Sequence, residues 1–190
     1  MESQHDVLFY FSKSKDVYPG TGVNEHADGN YDELSRIPNW RHMLSNFYIS
    51  PFELDGETWG SVEHYYHSQK FKNTNPKFMK QFTWHSGSEF SRDAMAAKSA
   101  GGRSGGKYRH KSILADEDFF ASDAQTRAFT RSMFSKFTQN PLLTRTLLET
   151  KNAELWHGTR GVPKHRVRTL ENIRECIKRF SHYDLAQVRL

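Results

Sequence analysis

Aromatic side chains make up 14% of this 190-residue chain, with 14 Phe, 8 Tyr and 4 Trp, while hydrophobic residues of all kinds reach only 36%. A chain of that composition builds its core on rings more than on aliphatic runs, which excludes collagen, coiled-coil and disulfide scaffolds. The length matches one compact unit, so residues 1–190 are expected to form a single domain. No stretch approaches the roughly 20 apolar residues of a membrane span. The N-terminal MESQHDVLFYF has neither a basic n-region nor a small-residue cleavage site, so the chain reads as soluble and intracellular, cytoplasmic or nuclear, with no membrane partner. The single cysteine, Cys176, allows no internal disulfide and no multi-cysteine zinc site, and reads as helix packing. The formal net charge is +5, and the surplus lies mostly in Arg103–Lys111 and Arg160–Arg179. That pattern favours a phosphate-bearing partner, whether nucleotide, nucleic acid or anionic surface.

Val7–Ser12 alternates weakly and reads as a short strand, and the Pro, Gly, Asn and Asp residues of 18–31 read as a loop. Asn46–Leu54, the Asp55-Gly56 turn and Glu57–Trp59 predict a β-hairpin, because Asp-Gly supplies the positive φ angles of a tight turn. Ser61 is placed to N-cap a helix from Val62 to about Asn73, and Pro76 to open another through Trp84. The alanine-rich Ser91–Ala100 predicts a helix broken by Gly101-Gly102-Arg103-Ser104-Gly105-Gly106. Apolar residues recur at helical spacing from Asp118 to Thr138, Pro141–Thr150 predicts a short helix, and Thr169–Phe180 is amphipathic. Leu155–Pro163 is short, aromatic and turn-rich. The sum is a mainly α domain with a small β-element, an N-terminal strand and a hairpin.

The densest chemistry follows the hairpin. At ~100° per residue, Glu63, Tyr66, His67 and Lys70 share one helix face, so an acid, a base and an amine lie together. With Ser61 as cap, Glu63 sits in the first turn, where the helix dipole stabilises a carboxylate by roughly 0.3–1 kcal/mol. An ionised Glu suits a base, a nucleophile or an oxocarbenium stabiliser. The alternative is an ordinary first-turn acid, a surface His and a solvent-facing Lys. His64 and His67 alone make no metal site without further ligands, so no metal and no cofactor are expected.

Gly101 to Lys107 matches G-x-x-x-x-G-K, but Tyr108 stands where a P-loop needs Ser or Thr, and a helix rather than a strand precedes the glycines. What remains is a loop flanked by Arg103, Lys107, Arg109 and Lys111, either wrapping an anionic substrate or simply exposed. Trp156-His157-Gly158-Thr159-Arg160 resembles the His-Gly-Thr/Ser segment with which ADP-ribosyltransferases hold NAD, without the further strands and distant acid of those folds. A buried Trp beside a glycine turn is the other reading.

Three sets of words carry a wider resemblance: Leu44-Ser45-Asn46-Phe47; Pro51 to Trp59 (PFELDGETW); and Val62-Glu63-His64-Tyr65-Tyr66 with Gln69-Lys70-Phe71. In this order and spacing the chain resembles the NADAR family, the YbiA-like proteins, and the likeness extends through Ala96-Ala97-Lys98, Lys136–Pro141 and Leu147–Thr150. The resemblance implies a mostly α-helical YbiA-like fold and a pocket for ADP-ribose-like or ribosylated-base ligands. It implies Glu63 as the catalytic acid residue and Lys70 as the motif lysine, with Asn46, Phe47, Trp59, His64, Gln69 and Lys98 lining or supporting the pocket. Many members carry Asp-x-x-Trp-Gly near the C-terminus, whereas Ala153 stands here at the Asp position and His157 follows Trp156. Glu154 or His157 can take the place of that acid, and Arg160 can hold a phosphate.

Breaking a ribosyl–nitrogen bond builds positive charge on the sugar, which a fixed Glu63 carboxylate stabilises. Lys70 either forms a Schiff base with an opened ribose or holds phosphate. His67 and His157 are candidates to protonate the leaving base, and Tyr66, Phe47 and Trp156 offer stacking surfaces. The expected activity is removal of ADP-ribose from ADP-ribosylated guanine, in a nucleotide or in DNA or RNA. The alternatives are an N-glycosidase of ribosylated riboflavin-pathway intermediates, a non-catalytic ADP-ribose or NAD binder, and a basic nucleic-acid-binding domain.

Overall fold

The computed structural model describes residues 5–159 and 162–180. The chain divides into two compact units, one of residues 46–139 and one assembled from the stretches before Asn46 and after Gln139.

In the central unit, β2 (Phe52–Leu54) and β3 (Glu57–Trp59) pair as the expected antiparallel hairpin, with Phe52 opposite Trp59. Asp55 and Gly56 both take positive φ, 54° and 78°, as that turn requires. The hairpin is tied down twice. Arg131 grips the Asp55 carboxylate while Tyr65 donates to the same group, which holds the acid below its usual range; burial, with that bond, pushes the phenol up. The Gln139 amide donates to Glu53 O and accepts from Glu53 N at 2.8 and 2.7 Å, copying a strand's pairing. Five helices complete this unit: α3 (Val62–Gln69), α4 (Pro76–Lys80), α5 (Ala94–Ala100), α6 (Asp118–Ala121) and α7 (Ala124–Gln139). α3 packs against α4, α5 and α7. The core is the ring cluster that composition calls for: Phe71, Phe78, Phe82 and Phe90 meet edge-on, tilted or stacked at 4.7–6.1 Å, with Trp59 and Tyr65 alongside.

The flanking unit holds β1 (Val7–Tyr10), α1 (Asp32–Ser35), α2 (Trp40–Leu44), α8 (Pro141–Glu149), β4 (Glu154–Thr159), β5 (Val162–Arg166) and α9 (Arg168–Phe180). β1 runs parallel to β4, with Leu8 opposite Leu155 and Tyr10 opposite His157, and β4 runs antiparallel to β5. α2 lies on β1 and α8, and α9 packs on β4 and α8. Leu8, Trp40, Leu147, Leu155 and Leu170 are fully buried there.

The architecture corrects the expectation of a mainly α fold. Helix accounts for 41% of the described residues and strand for 13%, in two sheets, which makes the chain mixed α/β. The difference arises at the C-terminus, where the turn-rich Leu155–Pro163 contributes to strands β4 and β5. No local pattern marks β4 as a strand, because its partner β1 lies 147 residues earlier in the chain, Val7 pairing with Glu154. The helix expected across Asp118–Thr138 is also divided, since Ser122 is extended between α6 and α7. Among the described residues no helix is long and apolar enough to cross a membrane.

One buried ion pair organises the loop of residues 11–30. Arg41 Nη2 lies 2.6 Å from Glu25 Oε2, both side chains almost fully enclosed. Arg41 also donates to the carbonyls of Phe9 and Val17, and Glu25 accepts from the backbone N–H groups of Phe9, Gly20 and Gly22. Removing one partner strands a buried charge. Arg41→Leu is therefore expected to cost about 3–5 kcal/mol in urea unfolding, and Glu25→Gln, which turns one acceptor oxygen into an NH2 facing N–H donors and leaves Arg41 without its counter-charge, to cost a comparable amount.

Candidate functional site

The site grows from the start of α3. Ser61 Oγ accepts the His64 N–H as N-cap and sits 2.8 Å from His64 Nδ1, while His64 Nε2 lies 2.9 Å from the Phe90 carbonyl. A carbonyl only accepts, so Nε2 carries the hydrogen and Nδ1 accepts from the Ser61 hydroxyl. Burial pulls the His64 pKa down to about 4, so the ring is neutral at physiological pH. His64 thus seats the helix through contacts wholly inside the protein. Trp59 does likewise for the hairpin: it is 1% exposed, and its Nε1 donates to Leu54 O.

With the helix so held, Glu63, Tyr66, His67 and Lys70 stand on one face. Glu63 Oε2 lies 3.2 Å from His67 Nε2, and His67 Nδ1 lies 3.0 Å from Lys70 Nζ. The three side chains are buried, with relative exposures of 6–7%. Lys70 Nζ also donates to the carbonyl of Gly101 at 3.1 Å and lies 4.8 Å from the Tyr66 ring centre. Tyr66 stacks on Phe129 and donates to Gln125 on α7.

Burial pulls the Lys70 pKa down to about 8; Glu63 opposes the fall, while Arg109 and Lys98 reinforce it. Lys98, at the end of α5, lies over the Phe47 ring at 5.2 Å. Glu63 N–H donates to Asn46 O, which ties the Asn46–Phe47 segment to the first turn of α3. Gln69 faces elsewhere: with Tyr65, Lys72, Asp116 and Arg131 it lines a cleft of about 310 Å³ on another flank of α3.

Trp156 and His157 belong to the flanking unit, on β4. Trp156 Nε1 donates to Glu154, and His157 stands in a row between Tyr10 and His165 at ring distances of 5.1 and 5.6 Å. Arg160 lies outside the described residues.

Two residues to which the sequence assigns no role at the site stand out in the structure. Gly101 caps α5 so closely that a Cβ there would meet His67 Cβ and Nδ1 at 2.4 Å. The one local sign was a glycine ending an alanine-rich helix. Lys136, read only as part of a motif, is fully buried on α7, within 5.7 Å of the Tyr48 ring centre, and burial pulls its pKa down to about 7. Among the described residues no group of three or more His, Cys, Asp or Glu is placed to hold a metal.

No family model matches the chain and no curated protein matches its sequence. Among solved structures, the NMR structure of the Escherichia coli protein YbiA is similar, with a TM-score of 0.56 at 23% identity over 75% of this chain and 83% of that one. The likeness establishes a YbiA-like fold.

Neutral His64 leaves a test in the acid range. Its folded pKa lies below the ordinary value of 6.5, so the unfolded chain takes up a proton that the folded ring refuses, and stability falls as pH drops from about 6.5 to about 4. His64→Gln removes this contribution. The stability advantage of the wild type over His64→Gln, measured by urea unfolding, is expected to shrink across that window; a constant difference would show the ring to be freely titrating.

Proposed function

We propose that this chain, with its YbiA-like fold, is a hydrolase of N-glycosidic bonds that removes ADP-ribose from ADP-ribosylated guanine. The observation that carries this reading is the buried chain of contacts from Glu63 through His67 to Lys70. A carboxylate held in the first turn of a helix, away from bulk water, suits the stabilisation of positive charge developing at a ribosyl C1. Preorganisation matters because a rigid dipole or charge spends nothing on reorienting as the bond breaks.

Lys70 supplies the second function. With its pKa drawn down to about 8, about a tenth of it is free amine at pH 7, enough to attack an opened ribose aldehyde. Lys98 and Arg109 both lie close enough to act on the Lys70 ammonium, which Glu63 favours. Two further cations beside the Glu63–Lys70 pair support a phosphate-bearing substrate over an uncharged nucleoside. Phe47, held beneath Lys98, offers a ring face to the base.

The test offers the purified protein an oligonucleotide carrying ADP-ribosylated guanine and measures free ADP-ribose. Glu63→Gln is expected to lower turnover by about 10²–10⁴ while leaving affinity for ADP-ribose within a few fold. Equal turnover by the variant would remove Glu63 from the chemistry. Absence of release by the wild type would overturn the assigned substrate.

A further inference from the structure

Among the side chains of the cluster, His67 alone touches both others, and the sequence makes it, with His157, a candidate donor to the leaving base. Its ring nitrogens are both engaged inside the protein: Nε2 at 3.2 Å from Glu63 Oε2 and Nδ1 at 3.0 Å from Lys70 Nζ. Neither nitrogen is left for a substrate. An ammonium can only donate, so with Lys70 protonated Nδ1 is the acceptor, and the ring's single hydrogen sits on Nε2, facing the carboxylate. The three groups therefore form a directed series, amine to imidazole to carboxylate, one helical turn per step.

We propose that His67 is a positioning residue that relays a proton between Lys70 and Glu63. In the forward step a proton leaves Lys70 Nζ for His67 Nδ1 as the Nε2 proton passes to Glu63 Oε2. The products are a neutral amine, a neutral carboxylic acid and an imidazole that is still neutral but in the opposite tautomer. No charge enters or leaves the buried cluster, which is why the step suits a low-dielectric site where moving a proton out to water is costly. The free Lys70 amine then bonds to the ribosyl C1 as the C1–N bond to the base breaks and Glu63 gives its proton to the departing base, which restores the carboxylate; ring opening turns the adduct into an imine, which water hydrolyses to free sugar and amine.

Burial, before any charge, favours Lys70 giving up its proton. Lys98 from α5 and Arg109 from beyond the glycine loop also disfavour the ammonium. Glu63 on its own helix opposes them. α7 presents the Gln125 amide and the Phe129 ring to Tyr66, and α6 places the Phe120 ring 5.7 Å from Nζ. The contact of Lys70 with Gly101 O fixes the amine at the end of the relay whichever form it takes.

The inference rests on the reading of Lys70 as an amine nucleophile, but its test does not need the ADP-ribosyl substrate. Ribose 5-phosphate in its open aldehyde form condenses with a free amine to an imine and water, and borohydride reduces the imine to a stable adduct that mass spectrometry locates. Labelling of Lys70 is followed from pH 6 to 9.5 in the wild type and in His67→Gln, whose amide can keep both hydrogen bonds but cannot pass a proton on. At pH 6.5 the variant is expected to label about tenfold less than the wild type, and at pH 9.5, where the amine is free in both, within about twofold.

A loss of the same size at every pH would mark a structural role and overturn the relay, as would identical profiles or a wild type that does not label Lys70. Nitrogen NMR of the wild-type ring at pH 7 gives a reading free of any substitution. The relay expects a neutral His67 protonated on Nε2, and the opposite tautomer or a cationic ring overturns it. Release of ADP-ribose with unchanged labelling profiles would sink the relay and leave the hydrolase standing. Shifted profiles with no release would do the reverse.

Discussion

Gly101 has no side chain, and the central cluster depends on that absence. A methyl group there would stand 2.4 Å from His67 Cβ and Nδ1, so any other residue would drive α5 away from α3. With the gap closed, the Gly101 carbonyl reaches Lys70 Nζ, and the approach of α5 brings Lys98 close enough to act on the same amine. This close approach of backbone to imidazole, together with the Tyr66 and Phe120 rings, encloses Lys70, and that burial lowers its pKa.

The other sides of α3 are held by different physics. Its first turn is seated by Ser61 and the neutral His64, whose ring spans the hydroxyl and the Phe90 carbonyl. Tyr65 and the Arg131–Asp55 pair clamp the hairpin against α3 and α7, and the phenylalanine cluster fills the space beneath Phe71. A helix fixed on three sides by a cap, a salt-bridged clamp and ring packing presents Glu63, His67 and Lys70 at constant spacing, which is what a preorganised site requires.

How much of this could be read in the sequence varies from residue to residue. Asp55-Gly56 fixed the hairpin because only a few residue types accept positive φ, and the structure has both there. Ser61 as N-cap and the i, i+4, i+7 alignment of Glu63, His67 and Lys70 follow from helix geometry, and both appear as expected. The strand character of residues 154–159 was not legible: the segment holds Gly158 and no clean alternation, and it is a strand because β1 and β5 pair with it. Gly158 has its own reason there, since a Cβ would strike the Phe9 ring at 2.4 Å.

Local rules thus determined where α3 begins, which side chains share its face and where the hairpin turns, since capping, dihedral preference and 3.6-residue periodicity act within a few residues. Only the tertiary structure decided that His67 bridges its two neighbours, that His64 is locked neutral and that Lys70 is a weak base. It alone decided, too, that residues 7–10 pair in parallel with residues 154–157. Those properties depend on desolvation and on partners such as Gly101, Phe90 and Leu155, which lie 26 or more residues from the groups they act on and leave no mark in the local pattern.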